Sequence, residues 1–84
     1  IALNNTELQA APNNERLLGI FSIGNMAKWL DRNVYTKNLV GNKDAPDGSG
    51  GSATDQPGLK EMTLKAIDIL NTRSTSDGDK GWFI

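Results

Sequence analysis

The side chains of this chain that could do chemistry are few. No histidine and no cysteine occurs among its 84 residues. That removes Ser-His and Cys-His nucleophile pairs, the commonest general base and the usual structural zinc ligands. Asp, Glu, Lys, Ser and Thr remain, and they crowd together in three places. The stretch "DGSGGSAT" (residues 47–54) invites comparison with a phosphate cradle. A P-loop needs G-x-x-x-x-G-K-[ST] between a strand and a helix, and a dinucleotide loop needs G-x-G-x-x-G there. Gly48, Gly50 and Gly51 fit neither spacing and no lysine follows, so linker chemistry is the better reading. "DGDKG" (residues 77–81) has the start of a calcium loop, but an oxygen ligand is required where Gly81 stands. A turn after a helix explains it better. Asp44, Asp47 and Asp55 are spread along one polar segment and read as solvated carboxylates. Asn4-Asn5-Thr6 is an N-glycosylation sequon. Trp29 and Trp82 could be stacking platforms, although packing accounts for them more simply. No catalytic, metal-ligating or substrate-binding residue is assigned to this chain.

The elements that would position these residues follow from pattern. "TELQAA" reads as a short helix with Thr6 as N-cap and Gln9 three residues on, ended by Pro12. "LLGIF", from Leu17 to Phe21, is a continuous apolar run that suits a strand buried on both faces. Gly24-Asn25 marks a turn. Met26, Trp29 and Leu30 then stand at helical spacing, in either a helical turn or an extended arm. From about residue 36 to 55 the chain is expected to be a flexible surface loop. The sixteen residues of "GNKDAPDGSGGSATDQ" include four glycines and one proline and offer little apolar surface. In "PGLKEMTLKAIDILNTR" the residues Leu59, Met62, Ala66, Ile67 and Leu70 trace the stripe of an amphipathic helix. Pro57 suits its first turn, Asp55 could cap it, and Glu61 and Lys65 are spaced as an i, i+4 pair. "GWFI" reads as the start of another strand. The expected order is strand, helix, strand, loop, helix, strand. It points to an α/β fold, part of a mostly parallel sheet flanked by helices and incomplete on its own.

Bulk properties bound the function. A chain this short makes one small domain at most and buries only about 60–65% of its unfolded surface. With 37% hydrophobic residues and no disulfide or zinc staple, an independent core is thin. A net charge of -1 provides no basic field for nucleic acid or for an anionic membrane surface. No apolar run approaches the length of a membrane span, and no signal peptide is visible. The chain opens on Ile1 rather than Met and closes on its most apolar tetrapeptide, Gly81-Trp82-Phe83-Ile84. These ends read as those of an internal piece of a longer polypeptide.

Three stretches, in order, resemble the middle of the alkaline phosphatase family: "LLGIFSIGNM", "QPGLKEMTLKAIDIL" and "GWFI". In that family an L-[LM]-G-[LI]-F strand leads to a turn containing G-x-M. A helix of the type P-x-L-x-E-M-x-x-K-A-[IL]-x-[IL]-L follows, and then G-[FW]-F. "NNTELQAA" is similar to the segment that precedes them. The likeness covers all but about residues 34–55. It implies that residues 1–84 are an internal segment of a single alkaline phosphatase-like domain. The parent would hydrolyse phosphate monoesters with two zinc ions and a magnesium, through a transiently phosphorylated serine. It would be a homodimer working outside the cytoplasm.

By the same resemblance the metal ligands begin a few residues beyond Ile84, and the serine and the phosphate-holding arginine lie elsewhere. The segment would be scaffolding, inactive alone, binding no cofactor and partnered by the rest of its own polypeptide. "DGSGGSAT" is similar to the family's nucleophile motif, but Gly48 separates Asp47 from Ser49 and the stretch comes too late in the chain. Animal members hold a calcium with a residue matching Phe21, an acid after it and an Asp before the helix proline. Ser22 and Gln56 stand at the latter two positions here, which argues against that site. Two other readings compete: a small non-enzymatic binding module using an exposed C-terminal strand, and a glycine-loop nucleotide binder.

Overall fold

A computed structural model describes all 84 residues, and it is helical. Three α-helices, α1 (Asn5–Ala10), α2 (Trp29–Asn33) and α3 (Leu59–Ser76), are joined by extended segments and by two 3-10 turns at Thr36–Asn38 and Ala53–Asp55. No β-strand forms, so the expected α/β fold with a mostly parallel sheet is wrong. The only remnant of a sheet is one parallel bridge between Ala2 and Gly19. There Ala2 N–H donates to Leu18 O and Ile20 N–H to Ala2 O, each at 2.9 Å. The physical reason lies in pairing. A strand buried on both faces needs neighbours along both edges, and the backbone of "LLGIF" pairs only with Ala2. Phe21 turns inward, while Leu18 and Ile20 remain exposed. "GWFI" pairs with nothing and folds back along the end of α3. Trp82 Nε1 donates to Asn71 Oδ1 at 2.6 Å, and Gly81 N–H donates to Ser74 Oγ at 2.9 Å.

The cap of helix α1 lies two residues earlier than expected. Asn4, not Thr6, is the N-cap, and its Oδ1 accepts from Glu7 N–H at 2.8 Å. Glu7 reaches back to Leu3 N–H at 2.7 Å. Asn4 thus satisfies a donor that the helix start leaves open, and Glu7 ties down the residue before the cap. Thr6 is held from outside, its N–H and hydroxyl both donating to Asp55 Oδ2 at 3.1 and 2.6 Å. Asp55 therefore braces α1 rather than capping α3. The cap position of α3 belongs to Gly58, whose N–H is bound by Glu61 Oε2 at 3.0 Å. Pro57 lies fully buried just ahead of it.

The amphipathic helix is present from Leu59 to Ser76, but its buried face is not the expected stripe. Leu59 is 78% exposed, whereas Lys65 is 7% exposed. Lys65 does not pair with Glu61. Its Nζ donates to Ala11 O at the C-terminal cap of α1, where the unpaired carbonyls of a helix end attract a cation. This contact helps to pack α1 against α3. Met62 closes over the first apolar cluster, Ala2, Leu8 and Phe21, with Leu17 and Met26 at its margin.

A second cluster lies in the segment expected to be a loop. Leu39, Ala45 and Ala53 are buried there, with Ala27 packed against them. Gly50 makes this possible, because a Cβ at that position would stand 2.7 Å from Gly41 Cα. Two stretches of backbone meet there with no room for a side chain. The segment is tied to the rest of the chain by Ile23 N–H donating to Asp44 O at 3.1 Å.

The molecule is long and thin, 47 × 22 × 19 Å, with a radius of gyration of 14.5 Å. A compact chain of this length would have about 12 Å.

Candidate functional site

The structure disperses the residues that could do chemistry. Asp47 and Ser49 form a closed local turn. Asp47 Oδ1 accepts from the Ser49 hydroxyl at 2.6 Å and from Ser49 N–H at 2.9 Å, and Ser49 Oγ accepts from Gly51 N–H at 3.1 Å. The Ser49 hydroxyl and then its N–H hold the Asp47 carboxyl below its ordinary pKa of 3.8. A carboxylate stabilised in this way is a weaker base, so the pair is a turn lock and not an activated nucleophile. Gly48, at φ 81°, carries the left-handed backbone the turn requires.

Asp44, Asp47 and Asp55 do not converge. Asp55 is committed to Thr6 and Asp47 to Ser49. Asp77 and Asp79 sit in the turn that ends α3. Asp77 N–H donates to Arg73 O and Asp79 N–H to Ser74 O, at 3.0 and 2.7 Å. Gly78 and Asp79 both have positive φ, as a left-handed helix stop demands. Nowhere do three or more His, Cys, Asp or Glu side chains come close enough to hold a metal ion.

The three positions that match the family's calcium site have separate duties. Phe21 is buried in the first cluster. Ser22 Oγ donates to Asn25 O at 3.1 Å and accepts from Gly24 N–H at 3.3 Å. Gln56 Oε1 accepts from Ala27 N–H at 2.8 Å, joining the segment before α2 to the entry of α3. The Gln56 amide nitrogen is buried without a partner. In the Asn4-Asn5-Thr6 sequon, the Asn4 carbonyl oxygen caps α1 and the Thr6 hydroxyl binds Asp55. Trp29 is 64% exposed on α2, beside exposed Leu30. Trp82 is held by Asn71.

What the structure does assemble is apolar surface. A groove of about 500 Å³ runs along the second half of α3, lined by Leu17, Ala66, Ile69, Leu70 and Ile84, with Arg16 and Arg73 on its rim. A more polar hollow of about 430 Å³ continues past Arg73 to Lys80 and Trp82. Phe83 is 93% exposed beyond it. Sequence reasoning missed the Asp55–Thr6 brace and the inward Lys65, which join residues 49 and 54 positions apart. The Asn4 cap was open to detection, since Asn4 with Glu7 three residues on carries the same spacing as Thr6 with Gln9. No helix is long and apolar enough to cross a membrane. No family model matches this chain, and neither a curated protein nor a solved structure matches it.

Proposed function

We propose that these residues are a scaffold segment of a metal-dependent phosphomonoester hydrolase of the alkaline phosphatase kind, inactive in isolation. The motif order "LLGIFSIGNM", "QPGLKEMTLKAIDIL", "GWFI" supports the family, and the surface of the fold supports the scaffold role. The observation that carries the role is an excess of exposed area. The chain leaves 5815 Å² accessible, where a compact 9.1 kDa monomer would leave about 4,900 Å². The difference is close to the ~800 Å² that one partner contributes to a standard interface. Much of the exposed surface is apolar, including Leu18, Ile20, Ile23, Phe83 and Ile84. A surface of that kind stabilises by being covered. The covering partner, on this reading, is the rest of the parent polypeptide.

Zinc and magnesium would be held by other parts of that polypeptide. The acidic residues here are dispersed, and Glu7, Asp47, Asp55 and Glu61 are already bound to N–H and O–H groups of the chain. They do not form a ligand set. The test is hydrolysis of p-nitrophenyl phosphate by the 84-residue chain with added zinc and magnesium. Rates equal to a blank are expected, and metal-dependent turnover would overturn the scaffold role.

One observation favours a second reading, a small binding module. Gly81 and Trp82 are anchored to α3 while Phe83 is left 93% exposed beside them, as a docking edge would be. A source protein several times longer would favour the scaffold, and one little longer than these residues would move the binding module ahead.

A further inference from the structure

We draw no further inference here: the strongest candidate, the apolar groove along the second half of α3 between Leu17 and Ile84 with Arg16 and Arg73 on its rim, belongs to the uncovered surface on which the scaffold reading already rests, and nothing in the structure shows what covers it.

Discussion

The two halves of α3 carry similar side chains and meet different fates. In the first half, Met62 closes the cluster of Ala2, Leu8 and Phe21, Lys65 reaches Ala11 across to α1, and Glu61 secures the cap. In the second half, Ile69 and Leu70 are as apolar as anything upstream but face an open groove. The comparison shows that an amphipathic stripe marks a face to be buried and not the partner that buries it. Here α1 supplies that partner for the first two turns of α3 and then ends at Ala10.

Four substitutions and a pH titration can break or sharpen this contrast. Leu8→Ala removes the centre of the covered half. It should cost about 3 kcal/mol, as large-to-small core changes do, and in so small a domain most of the helical circular dichroism should vanish. Unchanged ellipticity would mean that the cluster at Ala2, Leu8 and Phe21 does not hold α1 to α3. Asp55→Ala deletes both bonds to Thr6 and should cost about 1–2 kcal/mol, the usual cost of losing such a brace. Urea titration reads that loss, and faster amide exchange at Thr6 would place it at the start of α1. Leu70→Ala, in the open half, should cost about 1 kcal/mol or less, because a half-buried side chain has less to lose. A cost equal to that of Leu8→Ala would show the groove closed in solution. On the exposed side, Lys60→Ala should stay within about 0.5 kcal/mol by the same urea measurement.

The smallest effect is a matter of pH. The folded state holds the Asp47 carboxyl below its ordinary value of 3.8. The contribution of the turn is therefore complete above that value and is lost as pH falls through the lower folded one. Being fully exposed, the group should act only locally. The Ser49 amide resonance should move on acidification past pH 3.8. A movement already complete at pH 5 would contradict the Ser49 lock.

Tryptophan emission reports on the surface around Trp29 and Trp82. With Trp29 and Trp82 64% and 39% exposed, emission should lie toward that of indole in water, and a blue shift on adding a partner would show the surface being covered.

Local interactions could be read from sequence alone. The helix at 59–76 was legible because its period, Pro57 ahead of it and Gly78 behind it all act within a few residues. So was the helix at 5–10, with its cap misplaced because Thr6 and Asn4 are both capping residues, while in the fold Asn4 takes the cap and Thr6 bonds Asp55. The limited chemistry was legible too, since residue types absent from the sequence cannot be supplied by folding. Tertiary structure alone decided the rest. "LLGIF" and "GWFI" have strand composition, but a strand exists only where another backbone accepts its hydrogen bonds, and each found too little within reach. The glycine-rich stretch had the composition of a loop, yet Ala45 and Ala53 are buried because Gly41 and Gly50 let two backbones touch. Lys65 points inward because the carbonyl of Ala11, 54 residues away, lies under it. Sequence determines what each segment can do, and the pairing of distant segments selects among those options, because burial and hydrogen bonding depend on what comes near in space.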